Sequence, residues 1–189
     1  MIIETIVTTC NEDGEVNMAP MGITFIPDRQ VIIKPFLTSD TYKNLMAYPG
    51  AVINLTDDVY IIAKTALSDD VFPCVPATKV KGFLLKDACT SYEIEVIHKV
   101  VEEQRAVFTG QIKKVHDKKL HYKGLNRGKI AVVEAAIMAT RQHLYPWDVF
   151  QGKMLEYAII VEKTGGDNEL KAMTYIKHIV ESTNSKTRG

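Results

Sequence analysis

Several things are scarce in this chain of 189 residues. It has no surplus of charge, since 23 Lys and Arg balance 23 Asp and Glu. A protein that grips a nucleic-acid backbone gains most of its affinity by neutralising phosphates and usually carries a basic excess, so no nucleic-acid partner is expected. Long hydrophobic runs are missing as well, and none approaches the roughly 20 residues needed to cross a bilayer, so no membrane partner is expected either. The opening MIIETIVTT lacks a basic start, a long apolar stretch and a cleavage site, and is not read as a secretory leader. Cysteine is sparse: Cys10, Cys74 and Cys89 are odd in number and far apart, without a CxxC or Cys/His pairing. That argues against a disulfide framework or a structural zinc and predicts buried thiols in a reducing cytoplasm. No internal repeat or low-complexity stretch is present.

What is there reads first as β structure. Ile2 to Thr9 is rich in β-branched residues, NEDGE supplies a turn with Gly14, and Val16 to Ile26 is the return strand. PDRQ turns again into VIIKPF, where Pro35 predicts a strand end or an unpaired edge, because proline donates nothing to a ladder. LTSDTYKNLMAYPG reads as a short helix capped by Ser39 or Thr38, with Asp40 complementing its dipole and Pro49-Gly50 stopping it. AVINLT is an apolar strand, and DDVYIIAKTAL is expected to be helical. Residues 68–82, with Pro73, Pro76 and Gly82, read as a loop. Ser91 to Val101 and Arg105 to His116 are expected as long strands.

After KKLHYKGLNRG the composition changes. Lys129 to Leu144 carries Ile130, Val133, Ile137 and Leu144 at helical spacing with alanines between them. Lys153 to Lys163 is read as helix despite its β-prone YAIIV, because Gly165-Gly166 is a suitable stop. Asp167 is expected to cap a last helix carrying Leu170, Met173, Ile176 and Val180, and the tail from Ser182 is expected to fray. The expected domains are therefore 1–120 and 125–185, with a boundary between Lys118 and Asn126.

Three stretches carry candidate chemistry. In TSDTYKNL a helix N-terminus offers unpaired N–H groups and partial positive charge to an anion. Thr38, Ser39 and Thr41 add hydroxyls, and Lys34 or Lys43 adds charge, although an ordinary capped surface helix reads the same way. In NMAPMG the small residues let another surface approach a strand closely, or else simply bend it. Asn54, polar within an apolar strand, bonds a loop backbone or faces a ligand. Asp57 and Asp58 read as helix caps. The five histidines lie in separate elements without an HExxH or HxH pattern, so no metal site is expected. KTGGDN resembles a helix-turn-helix corner, but the mixed charges of the following helix read as an exposed face. Trp147, the sole tryptophan, is expected at an interdomain or subunit seam, ahead of the alternative that it stacks on a ligand.

In order, VTTCNEDGEVNMAPMGITF, DRQVIIKPF and SDTYKNLMAYPGAVINLTDD resemble the flavin-reductase-like branch of the FMN-binding split barrels. LLKDACTSYEIEV and FTGQIKKVHD resemble that family's later strands. The whole chain, with GLNRGKIAVVEAAIMATR, is similar to an archaeal family of unknown function in which a split barrel precedes a helical appendage. The resemblance implies a mainly β fold with added α: a six-stranded Greek-key split barrel followed by a small helical domain. It also implies FMN as cofactor, held between two barrels of a homodimer. Ala19, Pro20, Met21 and Gly22 would line the isoalloxazine. Phe36, Thr38, Ser39, Thr41 and Asn44 would hold the phosphate and ribityl chain, with Asn54 nearby. Met21-Gly22 departs from the hydroxyl or aromatic residue that often follows Ala-Pro in that family.

The resemblance leaves the reaction open. One reading is an FMN-dependent oxidoreductase acting on a small electron acceptor, its catalytic residues unassigned. A second is a protein that stores flavin or senses redox state, and a third is a barrel kept as a dimeric scaffold. The stretch from Ser68 to Val80 is too long to be idle and is expected to reach across the seam or over the ring.

Overall fold

Ile3–Cys10 (β1) and Val16–Ile26 (β2) form the first hairpin, in register from Ile3 opposite Ile23 to Cys10 opposite Val16. Gly14 sits in its turn at φ 86°, a conformation that side-chain-bearing residues seldom adopt. A second hairpin leads to Gln30–Ile33 (β3), where Asp28 and Arg29 take the left-handed turn conformation. Asp40–Ala47 (α1) follows, then Gly50–Leu55 (β4), Cys74–Pro76 (β5), Phe83–Leu85 (β6), Thr90–Val101 (β7) and Ala106–Asp117 (β8). This computed structural model describes residues 1–56, 58, 61–62, 65–66, 69–117 and 124–187.

Six strands close an antiparallel barrel in the order β1-β2-β3-β8-β7-β4. Because β4 returns beside β1, the spatial order β4-β1-β2-β3 is a Greek key. The expected fold, a six-stranded split barrel followed by helices, is therefore the observed one. Alternation along the first hairpin sorts its side chains. Ile3, Val7 and Ile23 enter the barrel core with Val31, Ile33, Ile53, Ile94 and Phe108. Ile6 and Met18 instead join Ile61, Leu85 and Ala88 in a separate cluster. Each large side chain so buried contributes about 1.5–3 kcal/mol relative to exposure.

Two local readings change. Residues 68–82 are not wholly irregular, because β5 pairs with β6 from Cys74 opposite Leu85 to Pro76 opposite Phe83. Three-residue strands are too short to show a period of two, which is why composition alone reads them as loop. The helix expected over 57–67 falls largely outside the described residues. Within it, Asp58 Oδ1 accepts from the Ile61 N–H at 3.2 Å and Thr65 Oγ1 donates to the Ile61 carbonyl at 2.7 Å, both helical contacts. Residues 118–123, where the domain boundary was expected, also lie outside.

The chain divides into two units, Ile3–Leu125 and Met1–Ile2 with Asn126–Gly189. The second contains Arg127–Thr140 (α2), a 3-10 turn at Gln142–Leu144, Trp147–Thr164 (α3) and Asp167–Thr187 (α4). Asn126 caps α2 by accepting from the Lys129 N–H at 3.0 Å, and its amide also donates to the carbonyls of Ile2 and Thr164. The α3 segment is helical, as read. It stops at Gly165, where a Cβ would lie 2.7 Å from the Val161 carbonyl oxygen. Asp167 is the first helical residue of α4 rather than its cap. Glu169 reaches back to the Gly166 N–H at 2.8 Å, one half of a capping box. The backbone helix continues to Thr187, beyond the expected fraying point.

The packed face of α2 is not the one its large residues suggest. Ala131, Ala135 and Met138 are buried against Phe150, Met154, Ala158, Val161 and the α4 residues Met173, Ile176 and Val180. Ile130, Val133, Ile137 and Leu144 are 51, 55, 41 and 64% exposed. Small residues let helix axes approach while bulky neighbours fill the seam, so the alanines face the core. Trp147 lies almost parallel to Phe150, with ring centres 5.4 Å apart, within this helical unit. No helix among the described residues is long and apolar enough to cross a membrane.

Candidate functional site

β2 has two neighbours for only part of its length. It pairs with β1 from Val16 to Ile23, and with β3 only from Ile26 opposite Gln30 to Ile23 opposite Ile33. Beyond Ile33 the chain leaves β2 but stays beside the start of β8: the Ala106 N–H donates to the Pro35 carbonyl at 3.0 Å, Phe36 bridges Arg105, and the Leu37 N–H donates to the Gln104 carbonyl at 3.2 Å. Val16 to Gly22 therefore has no ladder partner on its second side among the described residues. Pro20 is tolerated at mid-strand for this reason, since its missing N–H would otherwise break a ladder.

The divergence leaves a slot. One wall is Ala19, Pro20, Met21 and Gly22; the other runs from Phe36 through Thr38 and Ser39 into α1. The slot begins at the Ile23–Ile33 pair and is closed at its other end by a bond from Asn17 Nδ2 on β2 to Thr41 Oγ1 on α1, at 3.0 Å. Six strand residues separate the two ends, about 20 Å at strand rise. Ser39 caps α1 by accepting from the Tyr42 N–H at 3.2 Å while donating to the Phe36 carbonyl at 2.7 Å.

Beneath the closing bond lies a buried polar knot. Thr9 Oγ1 accepts from Asn17 Nδ2 at 3.2 Å and from Asn44 Nδ2 at 3.0 Å. Thr9, Thr41 and Asn44 are 0, 1 and 7% exposed, so these bonds fix α1 on the barrel rather than decorate its surface. Past the knot, toward the hairpin turn, Asn17, Met18 and Asn44 border a cleft of about 520 Å³. Among the described residues Glu12, Glu15, Asp40, Asp69 and Lys43 line it, and Lys43 is tied to Asp40 at 2.8 Å. That cleft is a poor place for an anion.

Positive charge reaches the slot from elsewhere. The Arg105 guanidinium lies 3.8 Å from the Phe36 ring centre and donates to the Lys34 carbonyl at 3.2 Å. Sequence reasoning named Lys34 and Lys43 but missed Arg105, which comes from the β7–β8 turn, 69 residues after Phe36 in chain numbering. It also missed Thr9 and Asn17. Their signal was present: two polar residues at symmetric places about the NEDGE turn face each other in register.

Of the residues singled out from the sequence, Ala19, Pro20, Met21 and Gly22 lie on the unpaired edge of β2, Phe36, Thr38 and Ser39 lie on the segment leading into α1, and Thr41 and Asn44 are tied to the first hairpin through Asn17 and Thr9. Asn54 does not reach the slot. It pairs with Ile6 on β1, which separates β4 from β2. Its fully buried amide is satisfied at both ends, accepting from the Leu85 N–H at 2.9 Å and Ser91 Oγ at 2.8 Å and donating to the Ile6 carbonyl at 3.2 Å. The three cysteines are free, and burial raises the Cys10 thiol, the opposite of what a reactive thiolate needs. Among the described residues no group of three His, Cys, Asp or Glu is placed to hold a metal.

A closed Greek-key barrel in which one strand edge is released beside a capped helix is a split barrel. The chain belongs to the DUF447 family: the family's N-terminal domain, described as a protein of unknown function, matches residues 3–119, and its second domain matches 126–178. Among solved structures it is similar to the FMN-bound protein MM1853 from Methanosarcina mazei, also of DUF447, with 28% identity, 94% of each chain covered and a TM-score of 0.57. It is similar in fold to the 2-nitrobenzoate 2-nitroreductase NbaA of Pseudomonas fluorescens, with 21% identity, 62% of this chain and 66% of that one covered, and a TM-score of 0.56. Flavoredoxin from Methanosarcina acetivorans matches at 13% identity, over 64% of this chain and 71% of that one, with a TM-score of 0.57. The archaeal split-barrel family expected from the sequence is thus the one to which the chain belongs.

Proposed function

We propose that this protein binds FMN in the slot between β2 and α1 and acts as a flavin-dependent oxidoreductase on a small electron acceptor. The observation that carries this reading is the free β2 edge between Ile23 and Asn17. A flat ring needs an uncluttered wall, and Ala19, Pro20 and Gly22 provide one. A phosphate needs donors and positive charge; the α1 start provides N–H groups beside Thr38 and Ser39, with Arg105 as the cation. The FMN-bound relative from the same family supports the choice of ligand.

Bound flavin supplies reversible electron acceptance, and the protein supplies binding, orientation and electrostatics. Thr41 and Asn44, held by Asn17 and Thr9, set the helix start against the strand. Phe36 and Met21 shield the slot. None of the nine candidate residues on β2, ahead of α1 and on α1 is an acid or base. That specific lack favours a second reading, in which the protein holds or delivers flavin, or senses redox state, without turnover.

The assembly we propose is a homodimer whose second copy covers the flavin. Exposed Phe36 ahead of α1, Met46 on α1, and Ile97, Val100 and Val101 on β7 give that copy an apolar seat. A groove of about 480 Å³ lined by Met46, Pro49, Val96 and Ile97 continues it.

One absorption spectrum tests the ligand: purified protein is expected to be yellow, and colourless protein that takes up no FMN overturns the reading. Anaerobic NADH or NADPH then separates the alternatives. Bleaching followed by reoxidation with an added acceptor supports the oxidoreductase, whereas a spectrum unchanged by every reductant leaves the holding protein.

A further inference from the structure

The helical unit presents a groove of about 260 Å³ between α2 and α3, walled by Ile130, Ala131, Tyr157 and Ile160. Arg127 and Glu134 stand at its edges on α2. Among the described residues neither charge has an ion-pair partner within the chain. They are seven residues apart, two helical turns or about 10 Å. We propose that this groove receives a second copy of the same helix, running antiparallel about a twofold axis between Ile130 and Ala131.

The pattern is self-complementary. In an antiparallel pair centred there, Arg127 faces Glu134 of the partner subunit, and the symmetric contact repeats on the other side, as a twofold interface requires. Ile130 of each copy enters the other's groove against Ala131, a bulky knob over a small residue. A parallel pairing in register would instead set Arg127 against Arg127 and Glu134 against Glu134, which like-charge repulsion disfavours. The surface has reason to be covered, because Ile130 and Val133 are 51 and 55% exposed while the alanines of α2 already serve its own core. This contact stands apart from the flavin reading and from the dimer proposed for the barrel.

The test is a cysteine placed at the twofold. Full-length Ile130→Cys protein treated with diamide at about 20 µM is expected to give a covalent dimer on a denaturing gel, with wild-type protein as the control for the native thiols. Adding Glu134→Arg should reduce that dimer at least tenfold, because each pair becomes Arg against Arg. Adding Arg127→Glu as well should restore it, since both pairs are then opposite again. Absence of the Ile130→Cys dimer overturns the proposal. So does a dimer indifferent to Glu134→Arg, or one that the double reversal fails to rescue. FMN retention by all these variants, read from their spectra, is expected to equal wild type whichever way the cross-linking turns out.

Discussion

Asn17 on the second strand donates to Thr41 on the first helix at 3.0 Å, and this bond joins the two walls of the slot at one end. Thr41 and Asn44 share the resulting knot through Thr9. Replacing both Thr41 and Asn44 by Ala is therefore expected to weaken FMN binding at least tenfold while the barrel stays folded. Flavin fluorescence titration of the apoprotein measures this, and unchanged affinity would place the phosphate elsewhere.

Thr9 is fully buried and accepts two amide N–H bonds. Thr9→Val keeps the shape and removes the acceptor, leaving both amide donors short of a partner. The expected cost is about 1–3 kcal/mol of folding stability, read from denaturant melts. A loss below the error of such melts would mean that the amides find other partners.

Arg105 lies over Phe36 beside the helix start. Arg105→Ala should weaken FMN about tenfold, in line with the loss of one charge-assisted bond. Riboflavin, which lacks the phosphate, should bind both proteins alike. Equal losses for the two flavins would assign Arg105 to the ring or to the fold.

Glu93 is a fully buried carboxylate on β7. Burial alone would raise its pKa. The N–H of Thr78, His116, the N–H of Lys79 and the Thr78 hydroxyl all bond it, and together they hold it at about 2 against an ordinary 4.5. A depressed folded value means stability that is present above the unfolded pKa and is lost as pH falls toward the folded one. Glu93 should thus contribute about 3 kcal/mol at neutral pH, fading between about pH 4.5 and 2. Glu93→Gln should flatten that part of the stability profile, and a parallel acid limb in the variant would count against it.

Asn54 on β4 bonds β1, β6 and β7 through one side chain. Asn54→Ala strands the Leu85 N–H and the Ser91 hydroxyl in the barrel wall, with an expected loss of about 2–3 kcal/mol. FMN affinity of the folded variant should stay within threefold of wild type, as binding assays below the melting temperature would show.

Much of the local structure was legible in the chain because its signals are short. Ser39 caps α1 through its own next turn, Gly14 makes a hairpin with its immediate neighbours, and Pro35 marks the end of β3 by lacking one hydrogen. Arg105 and the knot around Thr9 were harder to see, because they depend on which distant strands come to lie beside β2 and α1. The β5–β6 pair escaped notice because three residues cannot display a period. The packed face of α2 is not legible from its large residues, because hydrophobicity marks what should avoid water, not which neighbour will supply the cover.

Local chemistry by itself determined the turns, the capped helix, the alternating strands, and the small-residue stretch from Ala19 to Gly22. Only tertiary structure decided that the chain leaves β2 at Ile33 while it stays beside the start of β8, and so freed that stretch on one side. Backbone propensities act over a few residues, whereas the choice of strand partner is settled by burying a common core drawn from the whole barrel.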